Sequence, residues 1–188
     1  LMLFTFSLVD TWFISFLGTE SLTAISFTFP VTFTVISLAI GLGIGASAVV
    51  AKCLGRSEFE KAKQAATVIA YISFLLATVV VALCWFFMGD LFRLMGASEQ
   101  LMVPIQKYMV VWFPGSILVV CIMSGNSVLR ACGDTKTPSI LMAGAGFINA
   151  FLDPFLIFGI GPFPELGIQG AAWATVVAWS CSFSYLAY

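Results

Sequence analysis

The 188-residue sequence contains no histidine and few charged residues, since eight Lys and Arg and nine Asp and Glu make up 9% of the chain. Without histidine the commonest general base and metal ligand is missing, which argues against most zinc, haem and Ser-His-Asp chemistry. A soluble domain is usually about a quarter charged, so these residues cannot cover a water-facing surface. The net charge of −1 leaves no basic surface for nucleic acid. The five cysteines form no CxxC pair and are interpreted as small apolar side chains.

Long apolar runs dominate what the sequence does contain. Apolar residues make up 61% of the chain, and its mean hydropathy is +1.07. A membrane-spanning helix needs roughly 20 mostly apolar residues. Six such runs lie between short polar interruptions, at residues 1–17, 22–51, 65–88, 101–124, 138–158 and 168–188. The sequence therefore predicts an all-α membrane protein with six transmembrane helices.

Both ends of the chain lie inside apolar runs. Leu1 has no basic flank and Tyr188 ends the sixth run, so we expect residues 1–188 to be one six-helix lobe, truncated at both ends. Most of the basic residues lie in the two loops on one side of the membrane: Lys52, Arg56, Lys61, Lys63, Arg130 and Lys136. Because cytoplasmic loops carry an excess of Lys and Arg, the chain is expected to enter and leave on the cytoplasmic side.

Two carboxylates are predicted to lie within the membrane, Asp10 in the first run and Asp153 in the fifth. An acid at mid-bilayer costs about 2.5–3.5 kcal/mol, so each is a functional hypothesis. Counting from the outer loops places Asp10, Asp153 and Thr175 about 12 Å below the outer helix ends, with Tyr108 near the same level. Asn149 precedes Asp153 by four residues and therefore shares its helix face. All five side chains are expected at one depth.

Proline contributes to the same prediction. Pro154 has no N–H, so the carbonyl of Ala150 loses its helical partner beside Asp153. Two carboxylates, an amide, two hydroxyls and this carbonyl would suit Na⁺ or a shared proton. In the alternative interpretation, each acid pairs with a neighbour and only holds helices together. Pro30, Pro114 and Pro154 are hinge candidates, and each could equally serve packing.

Small residues recur at a spacing of four in the second run. Gly41 and Gly45 form one row, and Ala39, Gly43 and Ser47 form an offset row. Such rows let helix backbones approach closely within a membrane. We interpret both as packing surfaces, because no strand precedes the glycines as a dinucleotide-binding fingerprint would require.

The two basic loops each predict a local structure. Residues 57–63 predict a short amphipathic helix on the cytoplasmic surface. Thr137 followed by Pro138 predicts a helix start, with the threonine hydroxyl as the cap and the proline at the first helical position.

Five segments together resemble the amino-terminal lobe of the multidrug and toxic compound extrusion (MATE) transporters. The most specific are residues 133–138 (GDTKTP) and 149–154 (NAFLDP). The resemblance covers nearly the whole chain in order, through residues 9–11 with 18–24, 41–45 with 54–56, 129–138, 149–154 and 166–175. It implies one lobe of a twelve-helix antiporter, with the carboxy-terminal lobe lying outside this chain.

The resemblance also implies a function. A Na⁺ or H⁺ gradient would drive the export of drugs or organic cations across a bacterial inner membrane, with no cofactor besides the coupling ion and no enzyme activity. The cation site would consist of five residues, namely Asp10, Tyr108, Asn149, Asp153 and Thr175. Three alternatives stay open: a flippase for lipid-linked precursors, a membrane-embedded aspartyl protease using Asp10 and Asp153, and a six-helix channel.

Overall fold

The computed structural model describes the backbone of residues 2–187 and the side-chain environments of residues 8–186. The described chain folds into helices joined by short turns, which confirms the all-α prediction. The helices are α1 (Met2–Ser15), α2 (Thr19–Gly55), α3 (Phe59–Phe86), α4 (Met88–Leu94), α5 (Glu99–Ala131), α6 (Lys136–Phe158) and α7 (Ile168–Ala187). Within the described part, four of them are long and apolar enough to cross a membrane by themselves: α2, α3, α5 and α6.

The short helix α4 lies where the sequence predicted only a polar link. Its seven residues include Phe92, which is fully buried and anchors the segment to the bundle. Arg93 Nε donates a hydrogen bond to Glu99 Oε1 (2.9 Å), which ties α4 to the start of α5. The link is helical because one of its faces has an apolar side chain to bury. The prediction overlooked this because the link is polar on average.

The helices extend beyond the apolar runs into the loops. Helix α2 has 37 residues and is therefore about 55 Å long. The separate amphipathic helix predicted for residues 57–63 is wrong, because α3 begins at Phe59 and continues unbroken to Phe86. Ala62 is buried, so the first turn of α3 already packs against the bundle. The charged segment and the apolar part of α3 therefore form one continuous helix.

The turn between α2 and α3 places a residue other than glycine in a left-handed conformation. The N–H of Glu58 donates to the carbonyl of Cys53 (3.0 Å), and that of Ser57 donates to the carbonyl of Leu54 (2.9 Å). This pair of bonds is the Schellman ending of a helix, whose left-handed position is usually glycine. Here Ser57 occupies it with φ of 60°. The turn is therefore strained at Ser57.

Asp134, not Thr137, caps helix α6. Asp134 Oδ1 accepts hydrogen bonds from the backbone N–H groups of Lys136 and Thr137, each at 3.0 Å. The predicted threonine cap is wrong because the helix begins at Lys136, which places Thr137 inside the first turn. Hydrogen bonds from Thr137 and then Lys136 lower the pKa of the Asp134 carboxyl below its usual range. Asp134 lies four residues before Pro138, whereas the predicted pattern places the capping residue directly before the proline.

Helix α5 forms the centre of the bundle, with α2, α3 and α7 packed around it, while α6 packs against α7 and α1. The closest helix approaches use small residues, as predicted for Gly43, and Gly170 of α7 is a second example. A methyl group added at Gly170 would collide with the backbone of Leu156 on α6, and one added at Gly43 would lie 2.5 Å from Ser127 Oγ on α5. Gly41 and Gly45 differ, since no atom lies within 4 Å of a methyl group added at either.

The three proline candidates lie inside continuous helices. Helix α2 passes through Pro30, α5 through Pro114 and α6 through Pro154 without an interruption. A hinge at any of them remains a prediction.

Candidate cation site and adjoining cavity

Four helices bring the five predicted site residues together in the interior of the bundle. Asp10 comes from α1, Tyr108 from α5, Asn149 and Asp153 from α6, and Thr175 from α7. Asp153 is fully buried, and the exposed fractions of Asn149, Tyr108 and Asp10 are 4%, 5% and 9%. The described structure therefore brings two buried carboxyl groups together with three neutral polar groups, of which Thr175 is half-buried.

Hydrogen bonds connect these side chains across the helix boundaries. Asn149 Nδ2 donates to Thr175 Oγ1 at 3.3 Å, and Thr175 Oγ1 donates to Asp10 Oδ2 at 3.4 Å. The carboxyl groups of Asp10 and Asp153 lie within hydrogen-bonding reach of each other when one carries a proton. Tyr108 is buried and lies in the wall of the same cavity as Asp10. Because each member comes from a different turn or helix, the cluster is sensitive to the spacing of α1, α6 and α7.

Four buried oxygen atoms in the cluster have no hydrogen-bond donor. They are Asp10 Oδ1, Asn149 Oδ1 and both carboxyl oxygens of Asp153. Burying such acceptors without a partner is costly, especially when they carry charge. A proton shared between the two carboxyl groups would satisfy two of these oxygens, and a small cation can be coordinated by several of them at once. Carboxylate, amide and hydroxyl oxygens are the ligands that hard cations such as Na⁺ prefer. The chemistry of these side chains therefore fits either Na⁺ or a proton.

A cavity of about 250 Å³ opens beside the cluster. Asp10, Tyr108, Asn149 and Thr175 lie in its wall, whereas Asp153 does not. The rest of the wall is apolar and aromatic with a few hydroxyl groups, including Phe29, Phe33, Trp112, Trp179, Thr28 and Thr32. No basic side chain is among the described residues that line it. The cavity therefore combines flat aromatic surfaces with an acidic end.

Sequence reasoning missed the residues that shape this cavity. Thr28 and Thr32 are buried hydroxyl-bearing residues on one face of α2, and their spacing of four was a readable signal.

Asn126 was missed because the predicted fourth span ended at residue 124. It is 2% exposed, and its Oδ1 has no partner. Asn126 follows Tyr108 by 18 residues, about five helical turns, so both lie on the same face of α5.

Comparisons with known proteins agree over most of the chain. A model of the MatE family matches residues 1–155. A protein named FAD transporter from Shewanella oneidensis is 47% identical over 183 residues, which cover 97% of this chain and 40% of that protein. The probable multidrug resistance protein YoeA of Bacillus subtilis is 33% identical over 170 residues, covering 90% and 37% of the two chains.

A solved structure shows the same fold. The crystal structure of the Vibrio cholerae MATE transporter VcmN in the bent form matches with a TM-score of 0.93 at 32% identity, over 99% of this chain and 42% of that one. This chain thus spans about 40% of the length of the relatives it matches. MATE-family proteins are transporters rather than enzymes and are in general coupled to cations. With several apolar helices and a family match over residues 1–155, this multi-pass membrane chain belongs to the MatE family of transporters.

Proposed function

We propose that this chain is the amino-terminal lobe of a cation-coupled exporter that works by alternating access, and that Asp10, Tyr108, Asn149, Asp153 and Thr175 form its cation site. One observation carries the proposal. Four buried oxygen atoms without a donor lie next to a cavity with aromatic walls. A cation or a proton would neutralise the acids of such a site, and such a cavity accepts an apolar or flat organic molecule.

The shared wall supplies a mechanism for coupling. Asp10, Asn149 and Thr175 belong both to the hydrogen-bonded cluster and to the cavity surface. A cation bound at Asp10 and Asp153 removes negative charge from the cavity end and alters the bonds that join α1, α6 and α7. Each ligand therefore weakens the binding of the other by the same factor, as linkage requires. In an antiporter this competition releases the substrate when the cation enters from outside.

Two substrate classes follow from the relatives and the cavity. The relative that is 47% identical is named as an FAD transporter, and the aromatic walls of the cavity fit the flat ring of a flavin. The acidic end without a basic neighbour favours organic cations instead, in keeping with relatives named for multidrug resistance. We propose a flavin as the first substrate to test, with its phosphates bound outside this acidic cavity, and aromatic organic cations as the second.

The test uses the full-length parent protein in inverted membrane vesicles. Uptake of FAD and of ethidium is measured under an imposed Na⁺ gradient and, separately, a pH gradient. Asp153→Asn is expected to abolish gradient-driven uptake while the protein still inserts. The reason is that asparagine can neither release a proton nor offer a negative charge to a cation. Glu20→Gln, which alters an exposed carboxylate at the start of α2, serves as the matched control. Full uptake by the Asp153→Asn protein would refute the mechanism.

The alternatives differ in what they predict for the same vesicles. A channel predicts flux that follows the electrochemical gradient without exchange for a cation. A flippase for lipid-linked precursors requires a basic cavity, whereas no basic side chain is among the described lining residues and Lys107, next to Tyr108 in the sequence, is exposed. The family assignment excludes the aspartyl protease, because members of this family are transporters. We propose a bacterial inner-membrane location with the loops around Lys52 and Arg130 in the cytoplasm, which cysteine labelling from either side would test.

A further inference from the structure

The part of the cavity wall formed by α2 carries two threonines that the proposed cation site does not use. Thr28 and Thr32 line the cavity and are both buried. They lie about one helical turn apart, so their side chains share one face of α2. The rings of Phe29 and Phe33 line the same wall, and their centroids are 5.8 Å apart. This wall therefore combines two hydroxyl groups with two aromatic rings.

The hydrogen atom of each hydroxyl group is already engaged within α2. Thr28 Oγ1 donates to the carbonyl oxygen of Ile25 at 2.7 Å, and Thr32 Oγ1 donates to that of Phe29 at 3.0 Å. A hydroxyl group has one hydrogen atom to donate, and its oxygen also accepts. No described group donates to either oxygen. A ligand that contacts Thr28 or Thr32 in the cavity therefore has to supply the hydrogen atom.

Packing alone does not require threonine at these two positions. Valine has nearly the same shape without the oxygen, and α2 has valine at the buried positions Val31 and Val35. Burying a hydroxyl group costs more free energy than burying a methyl group unless hydrogen bonds compensate for the lost water. The bond to the helix backbone does not depend on the cavity either, since the exposed Thr34 donates to the carbonyl of Pro30 at 2.7 Å. The two cavity threonines thus keep an accepting capacity that packing does not use.

The charge and the aromatic surface of the cavity narrow the ligand further. Asp10 lies in the wall with one carboxyl oxygen that has no donor, and no basic side chain is among the described lining residues. Trp112 and Trp179 add flat aromatic surfaces. A carboxylate and aromatic faces both attract a cation. A flat aromatic cation with amino groups on its ring would match the charge, the rings and the threonine oxygens together.

We propose that Thr28 and Thr32 select, among aromatic organic cations, those that carry amino N–H groups on the ring. The inference rests on the proposed function and concerns the second of its two substrate classes. The threonine oxygens accept hydrogen bonds from the ring amino groups, while the ring packs on Phe29 and Phe33 and its charge is attracted to Asp10. A cation of the same shape without N–H groups leaves both oxygens without a donor and therefore binds less tightly.

Two cations with the same ring system test this selection. Ethidium carries two amino groups on its ring, and N-ethyl-phenylphenanthridinium is the same cation without them. The Kd of each is measured by equilibrium dialysis against the purified full-length protein, and the wild-type protein is expected to bind ethidium more tightly. Thr28→Val and Thr32→Val are each expected to weaken ethidium binding about three- to tenfold, the usual effect of one hydrogen bond, and to leave the Kd of the second cation within about twofold.

Variants of the same helix serve as controls. Thr28→Ser and Thr32→Ser keep the oxygen and are expected to retain the preference for ethidium. Thr34→Val is the matched control, because it removes the same kind of backbone bond at an exposed residue that is not among those lining the cavity. It is expected to leave both Kd values unchanged. Thermal unfolding shows whether each variant is folded.

Three results would overturn the proposal: equal affinity of the wild-type protein for the two cations, no binding of either, or equal losses for both cations in the valine variants. The wild-type comparison does not depend on any variant. Uptake of ethidium into inverted vesicles under a Na⁺ or pH gradient is measured separately. A protein that binds ethidium with this preference but does not transport it would refute the proposed function and leave this inference standing.

Discussion

Replacing Gly170 with alanine is a sharp test of how the cation site depends on helix spacing. Gly170 lies on α7 where it meets α6, and an added methyl carbon would lie 2.5 Å from the carbonyl carbon of Leu156 and 2.8 Å from the nitrogen of Ile157. Favourable contacts between carbon atoms begin near 3.5 Å. Because both obstacles are backbone atoms, no side-chain rotation relieves the collision. The two helices must separate by about 1 Å.

That separation acts directly on the site. Asn149 on α6 and Thr175 on α7 are joined by a hydrogen bond of 3.3 Å, already near the upper limit for such a bond. A further 1 Å would break it and release the hydroxyl group that donates to Asp10. Overpacking of this kind typically costs about 1–3 kcal/mol. We therefore expect Gly170→Ala to lower thermal stability and also to weaken the cation dependence of transport.

The assay compares two alanine substitutions in the purified full-length protein. Thermal unfolding is followed in detergent with and without Na⁺ and at two pH values, and gradient-driven uptake is measured in vesicles. Gly144→Ala is the matched control, because a methyl group there meets no atom within 4 Å and alanine is the better helix former. It is expected to be neutral or slightly stabilising. If Gly170→Ala matched Gly144→Ala in stability and in cation dependence, the argument from helix spacing would fail.

Three further predictions concern stability and use thermal unfolding. Ser57→Gly is expected to stabilise the protein by about 1 kcal/mol, because glycine adopts the left-handed conformation at φ of 60° without strain, and lower stability would contradict this. Asp134→Ala is expected to destabilise at neutral pH. Since the folded-state pKa of Asp134 is lowered, its contribution is present above the unfolded-state pKa and disappears as the pH falls through the folded value; a difference independent of pH would refute this. Ser73→Ala and Ser124→Ala each break a buried 2.8 Å bond between α3 and α5. Each should cost about 1 kcal/mol and the double variant less than their sum, so additive losses would count against the bond.

The site shows how far sequence reasoning reached. Asp10 and Thr175 are 165 residues apart, yet counting residues from the outer loops placed them at one level, and the structure joins them by a hydrogen bond. Depth in a membrane follows from a rise of 1.5 Å per residue and is a local property of each helix. The binding roles of these residues stay predictions, while their proximity is a structural result.

The errors share a physical origin. Asp134 rather than Thr137 caps α6, and residues 59–63 belong to the first turns of α3, because helix ends depend on which N–H groups and apolar side chains find partners nearby. Asn126 was missed for a similar reason, since apolar counting ended the span before the helix ended. Polar residues continue a helix whenever neighbouring helices cover them.

The amino-acid sequence by itself determined that this chain belongs in a membrane and that it forms helices, and it predicted that two acids lie at one depth. These properties follow from composition and from distances along single helices. Only the tertiary structure decided which face of each helix is buried. It separated Gly43, buried against Ser127, from Gly41 and Gly45, which border an open groove. It also enclosed the aromatic cavity beside Asp10. The difference arises because the side of a helix that becomes buried depends on partners distant in the chain.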